Sequence, residues 1–264
     1  MTLTNEQSLL VERHDAVTLL TINRPQVKNA VDDVVMPAIR EALAAAETDG
    51  TRCVILTGAG GSFSSGADIK KAMTNGMTPD STYHMLTDVY APTLKAIRKF
   101  PYPVIAAVDG FAAGIGCDMA LACDIRLASA RARFSELFIR VGLIPDGGGT
   151  YLLPRLVGTG RALEMMFTGM DVEAETAVQL GLANRVFPVE TFMQEVLAYA
   201  ATISRQSPAA LRFGKRAVQE SLNSSYDEAL AREADFQRQI LYSEDGAEGF
   251  LAFVEKRPPV WKGK

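Results

Sequence analysis

Apolar residues fall in short blocks and alternations through the first two thirds of the chain and recur at helical spacing through the last third. Residues 8–12 and 17–22 are β-prone runs that predict an opening hairpin ending at the turn Asn23-Arg24-Pro25. Asp32 or Asp33 can cap a helix to about Thr48, with Pro37 tolerable in its first turn, and residues 54–56 read as a buried strand before a glycine-rich loop at 58–66. Helical character returns at 68–73. A polar stretch covers 74–80, and Ser81 is placed to cap a long helix to about Lys99, bent at Pro92. Residues 104–108 form a second buried strand, followed by a small-residue loop at 110–116, a helical turn at 118–122 and a third strand at 124–127. Residues 134–141 fit either state. Beyond Thr150 almost everything except residues 183–187 has helical periodicity.

Strands therefore concentrate before about residue 190 and helices after it, with no linker-like run between them. The reading is one continuous domain: an α/β core over 1–190 and a helical C-terminal extension over 191–264. A chain of 264 residues with 48% hydrophobic and 22% charged residues can bury a sizeable core. A formal charge of -4 gives no one-signed field of the sort that nucleic-acid or membrane-surface binders carry, so neither partner is expected. Cys53, Cys117 and Cys123 have no CxxC spacing and lie in or near apolar runs, as buried thiols of a reducing, cytoplasmic compartment would. His14 and His84 cannot build a His-rich metal site, and no metal is expected. The opening MTLTNEQSLL lacks a basic segment followed by a long apolar run, and the apolar region 104–122 is interrupted by Asp109, Asp118 and glycines, so neither export nor a membrane span is expected.

The glycine-rich loops fail the nucleotide fingerprints. Phe63 stands at the third glycine position of the GxGxxG match that opens at Gly58, and Gly214-Lys215 is followed by Arg216 instead of Ser or Thr. No GxSxG elbow surrounds Ser62, Ser64 or Ser65. What remains is a pair of small-residue loops, Phe63-Ser64-Ser65-Gly66-Ala67-Asp68-Ile69-Lys70 and Gly110-Phe111-Ala112-Ala113-Gly114-Ile115-Gly116-Cys117-Asp118, each following a buried strand and opening a helical turn. Such loops present free backbone N–H groups, and two of them meeting at one oxygen form an oxyanion hole. On the residues alone, two tight packing turns would look the same.

With Asn23-Arg24-Pro25 and Asn29-Ala30, FSSGADIK, residues 103–110, Cys123-Asp124-Ile125, residues 142–150, residues 177–182 and residues 249–257, the chain resembles the crotonase superfamily, or enoyl-CoA hydratase/isomerase family, over nearly its whole length. The resemblance implies a spiral of β-β-α units and an acyl-CoA thioester as substrate, with CoA part of the substrate and no separate cofactor. It implies Ala67 and Ile115 as the oxyanion N–H donors, with Ile115 standing where the family usually has glycine. Asp68, Ile69 and Lys70 would lie along the CoA arm, and Val27 and Lys28 near its adenine and phosphates. Phe253 and Lys256 resemble residues that reach CoA, often from a neighbouring subunit of a homotrimer or homohexamer.

A thioester enolate places negative charge on the carbonyl oxygen, where such donors stabilise it, and the reaction is then selected by the acids and bases over the acyl chain. The family's hydratases use two glutamates. Here the first position is Asp118 and the second is Phe138, which argues against the two-acid arrangement. Asp146 matches the carboxylate that enoyl-CoA isomerases, ring-epoxide phenylacetyl-CoA isomerases and aryl-CoA dehalogenases carry. A double-bond isomerase with Asp146 as base is therefore expected, with hydratase the close alternative. Asp118 and Asp146 could instead cap helices, Glu136 would approach the site if its stretch is extended, and His84 reads as a surface residue. A non-catalytic RNA-binding relative would need a basic stripe, which the charge of -4 does not suggest, although Arg155, Arg161, Arg205, Arg212, Lys215 and Arg216 could cluster once folded.

Overall fold

The structure, a computed structural model, describes residues 7–263; Met1 to Glu6, within the stretch considered for export, and Lys264 lie outside the described residues. Among the described residues nine strands form two sheets: β1 (Leu9–His14), β2 (Val17–Ile22), β3 (Cys53–Gly58), β4 (Val104–Val108), β5 (Phe111–Ala113), β6 (Ile125–Ser129), β7 (Arg133–Ser135), β8 (Asp171–Glu173) and β9 (Arg185–Phe187). The larger sheet has the order β1-β2-β3-β4-β6-β9 and is parallel except for β1, which pairs antiparallel with β2. The smaller sheet is β5-β7-β8.

The α-helices of the described residues, in chain order, are α1 (Val35–Ala46), α2 (Ile69–Thr74), α3 (Pro79–His84), α4 (Ala91–Lys99), α5 (Ile115–Ala122), α6 (Gly149–Val157), α7 (Thr159–Thr168), α8 (Ala174–Gln179), α9 (Phe192–Ser204), α10 (Pro208–Ser221), α11 (Tyr226–Leu241) and α12 (Glu244–Glu255). Successive passages of chain give one strand to the large sheet, a short extended piece to the small one, then a helix. The β4, β5, α5 passage is the clearest, and the β6, β7, α6 passage repeats it after a 3-10 turn at Leu137–Val141. Earlier passages use single bridges, Val31 to Ala67 and Ser64 to Ala112, in place of the short strand. This is the β-β-α spiral the resemblance implies.

Both faces of the large sheet are covered at β3 and β4, which is why these strands are buried and read as apolar runs. Val54, Leu56, Val104, Ala106 and Val108 face a core shared with Met36, Ile39 and Leu43 of α1 and Ile97 of α4. Their neighbours Cys53, Ile55, Ile105 and Ala107 face Phe192, Val196 and Ala200 of α9. The first helix beyond residue 190 thus closes the back of the sheet, and α10 to α12 continue outward, each capped by a serine side chain: Ser207, Ser225 and Ser243.

Three element expectations change. Thr78, not Ser81, is the N-cap of the helix after the polar stretch, and Ser81 is the reciprocal partner of that capping box. The long helix is divided: α3 passes through a π-helical turn, Met85–Tyr90, before α4, just ahead of Pro92, whose ring and missing N–H disfavour regular α-bonding to residue 88. Helix α5 begins at Ile115, three residues earlier than the sequence reading, so the Ile115 amide is the first of the helix.

Candidate active site

The two loops that sequence analysis singled out are stitched together. Ser64 N–H donates to the Phe111 carbonyl at 2.9 Å and Ala113 N–H donates to the Ser64 carbonyl at 3.0 Å. Glycines permit this approach: a Cβ on Gly116 would lie 2.7 Å from the Ser64 carbonyl oxygen, and one on Gly66, whose φ is +98°, would lie 2.8 Å from the Ala113 oxygen and 3.8 Å from the Ile115 nitrogen. Gly114, at φ 52° and ψ -129°, turns β5 into α5. The Ala67 and Ile115 amides are thereby brought to the junction of the two turns, and neither donates to a protein acceptor among the described residues. Ala67 is exposed, whereas Ile115 buries its side chain against Gly147, where a Cβ would come within 2.4 Å of the Ile115 methyl group.

Asn29 holds the first turn from beneath. It is fully buried, donates to the carbonyls of Ala59 at 2.8 Å and Ser62 at 2.6 Å, and accepts from Arg24 N–H at 2.9 Å. Sequence analysis quoted Asn29 in a motif without a role. Its signal was a polar residue placed against an apolar run, which requires buried partners. Ser65 ties in the 27–28 turn, its N–H donating to the Lys28 carbonyl at 2.9 Å and its hydroxyl to that of Val27 at 3.1 Å. Val27, Lys28, Ala67, Ile69 and Lys70 therefore share one rim, with Lys28, Ile69 and Lys70 exposed. Asp68 is committed elsewhere: it caps α2 through the Lys71 N–H and pairs with Arg24 at 2.8 Å, while Arg24 also pairs with Asp32.

The acids lie beside Ile115. Asp146 is exposed on the turn between the 3-10 segment and α6, but crowding by surrounding protein pushes its carboxyl up to about 6. Tyr90 is close enough that the Asp146 charge adds to burial in raising the phenol. Tyr90 donates to the Val31 carbonyl at 3.3 Å, so it braces this wall, while Tyr83 is exposed. Asp118 is fully buried in the first turn of α5 and accepts from Gly147 N–H at 2.8 Å. Burial and the neighbouring Glu136 raise its carboxyl well above the ordinary range. The chain leaves β7 at Ser135 for a 3-10 turn, so residues 136–138 are not extended, and Glu136 and Phe138 part company. The Phe138 ring is buried near Gly114, at 3.8 Å from where that glycine's Cβ would be, and Glu136 is fully buried beside Cys117. Burial pushes Glu136 up to about 7.

The remaining sequence candidates lie elsewhere. Phe253 and Lys256 are exposed at the end of α12, which packs chiefly on α11, and Lys256 closes that helix with a left-handed φ of 55°. His84 is on the surface, 3.2 Å from Asp88. Four of the six basic candidates are engaged locally: Arg161 pairs with Glu164, Arg216 with Glu220, Arg155 stacks on Tyr151, and Lys215 is buried on Asp124 at 2.6 Å. A groove of about 590 Å³ lined by Lys95, Arg98, Lys99 and Arg232 among others shares no residue with the Ala67 and Ile115 turns. No described helix is long and apolar enough to cross a membrane.

Comparison with known proteins identifies the family and the fold. Residues 12–264 match the family model described as enoyl-CoA hydratase/isomerase. The chain is 35% identical over 252 residues to the short-chain-enoyl-CoA hydratase of Clostridium acetobutylicum, covering 95% of each chain. It is 37% identical over 250 residues to the 1,2-epoxyphenylacetyl-CoA isomerase of Escherichia coli K12, covering 94% of this chain and 95% of that one. A crystal structure of an enoyl-CoA hydratase from Bacillus anthracis superposes with a TM-score of 0.94 at 32% identity, over 98% of this chain and 100% of the other. This chain is a member of the enoyl-CoA hydratase/isomerase family, and its fold is the crotonase fold.

Proposed function

We propose that, within this acyl-CoA family, the chain is an enoyl-CoA isomerase that shifts a double bond with Asp146 as its single base. The thioester oxygen sits between the Ala67 and Ile115 amides, which stabilise the negative charge of the enolate by several kcal/mol, on the order of 3 per donor. The Asp146 carboxylate takes a proton from C2 of a 3-enoyl-CoA. The electron pair spreads over C2 to C4 and the oxygen as a dienolate, and the protonated Asp146 returns the proton at C4 to give a 2-enoyl-CoA. The one carboxyl serves as base and then as acid, so a value near 6 suits both halves of the shuttle. Lys28 and Lys70 on the exposed rim are suited to the CoA phosphates.

The observation that carries this reading is the contrast between the acids. Asp146 is exposed, Asp118 is sealed behind the turn with one oxygen on Gly147, and the buried Phe138 is apolar at the position where the family's hydratases carry their second acid. The names of relatives favour the alternative, hydration of a trans-2-enoyl-CoA, since most of them are called hydratases and one an isomerase. Incubation with 3-enoyl-, trans-2-enoyl- and arylacetyl-CoA thioesters separates the two. Isomerisation leaves the product mass unchanged, whereas hydration adds the mass of water.

A further inference from the structure

Beneath the turn that carries Asp146, three buried oxygens have no well-formed hydrogen bond: Oδ1 of Asp118, which faces only the Gly149 amide, and both carboxyl oxygens of Glu136, which face only the weak Cys117 thiol donor. Both side chains are fully buried. The packing leaves no slack, because a Cβ on Gly149 would fall 2.3 Å from Asp118 Oδ1 and one on Gly147 2.6 Å from Asp118 Cβ. The titratable groups facing Glu136 are Asp118 and the Cys117 thiol of α5 and Asp146 of the turn. In the adjoining small sheet the Ser135 hydroxyl donates to Asp171. The cations flanking Glu136 in sequence are engaged away from it, Arg133 with Glu173 and Arg140 with the Gly169 carbonyl. Two carboxylates in such a place, with no cation and no strong donor between them, cannot both be ionised.

We infer that Asp118 and Glu136 form a proton-holding pair that seats the Asp146 turn through the Gly147 amide, with Glu136 a positioning residue and the pair's loss of its shared proton setting the alkaline limit of the reaction. The proton belongs to the pair and not to either acid. When it leaves, a second negative charge appears beneath Asp146 and beside the region where enolate charge develops, and both the seating of the turn and the reaction suffer. The inference rests on Asp146 as the base, and its test is built to fail separately from that assignment.

Glu136→Gln replaces the neutral acid with an uncharged isostere. The parent should show a bell-shaped kcat/KM profile, with an acid limb near 6 from Asp146 and a fall above about 7. Glu136→Gln should keep the acid limb and lose the alkaline one. Melting read against pH is the arm independent of turnover. Both acids are raised in the fold, so their stabilising contribution is full at acid pH and is lost as pH rises through about 7. The parent Tm should therefore fall relative to that of Glu136→Gln over this window. Asp118→Asn, also uncharged and still able to accept from Gly147, should flatten the same two curves. An alkaline limb and a Tm dependence in Glu136→Gln that match the parent would overturn the inference, as would failure of both isosteric variants to fold. If instead Asp146→Asn keeps full turnover while the melting difference stands, the base assignment has failed and the proton-holding pair has not.

Discussion

Asp146 is the proposed base, and Asn29 is the polar residue beneath the first turn. A general base works only as the anion, so kcat/KM for 3-enoyl-CoA should rise with pH through about 6, the value to which crowding brings Asp146, and level above it until the acid pair titrates. Asp146→Asn should lower kcat by about 10² to 10⁴-fold, the usual contribution of a positioned base, with a much smaller change in KM because the amides and the CoA rim are untouched. Steady-state assays on double-bond migration check this, and turnover at the parent rate removes Asp146 from the mechanism. Asn29 acts one layer lower. Asn29→Ala leaves the Ala59 and Ser62 carbonyls and the Arg24 amide without their buried partner, at a cost of about 1–3 kcal/mol for each group left unpaired. Its Tm should fall by several degrees and its KM for CoA thioesters should rise, since the 27–28 and 63–70 turns are no longer held in register. A melt within one degree of the parent would show that Asn29 does not carry that join.

At the scale of elements, the site depends on how closely the turn before α2 approaches the turn before α5. Gly66 and Gly76 make a controlled pair for testing it, because both have positive φ, +98° and +76°, but a Cβ on Gly66 meets the Ala113 carbonyl at 2.8 Å while one on Gly76 meets no atom within 4 Å. Each alanine variant bears a left-handed backbone cost of about 1–2 kcal/mol, so both should melt lower. Only Gly66→Ala should part the Ala67 and Ile115 amides, lowering kcat by about 10² to 10³-fold, as loss of one oxyanion donor does elsewhere. Equal losses in the two variants would mean that strain alone is being read. The elements themselves differ in how openly the sequence announces them. β4 is legible because a strand covered on both faces is apolar without interruption, and the two glycine loops are legible because a close backbone approach leaves small residues behind. The start of α5 is hidden because Gly114 and Gly116 flank Ile115 and read as loop, although the amide that matters is the first of a helix. The π-helical turn before Pro92 is hidden for another reason: it is a local widening that a 3.6-residue period cannot register. Glu136 is the instructive case in the site, since an extended stretch would have placed it with Phe138, whereas the 3-10 turn sends it inward to Asp118, and that choice is made by tertiary packing.

For the whole molecule, the unresolved physical problem is the apolar surface of α11 and α12. Tyr226, Leu230, Leu241 and Tyr242 on or beside α11, and Phe250, Leu251, Phe253 and Val254 on α12, are all exposed in the single chain, Tyr242 and Phe253 at 87% and 84%. Exposed apolar residues concentrated on successive helices are the mark of a surface that another molecule covers. The tail leaves these side chains exposed: its Lys262 and Gly263 amides donate to Asp245 in the first turn of α12, and the Trp261 indole donates to the Arg205 carbonyl. The expected occupant is a second copy in a closed ring, so sedimentation equilibrium should give three or six times the 28.5 kDa chain mass. The same arrangement would let Phe253 and Lys256, which lie on α12 away from the oxyanion turns, serve the CoA of a neighbour. That has a consequence no single-chain site can imitate. Asp146→Asn lacks the base but keeps Lys256, and Lys256→Ala lacks the CoA contact but keeps the base. If the two are unfolded together and refolded as mixed rings, some sites combine an intact Asp146 with an intact Lys256 from next door, and activity at low substrate should exceed the mean of the two parents. Mixed rings with activity equal to that mean would return Lys256 to its own chain or to solvent, and a 28.5 kDa species in solution would remove the ring altogether.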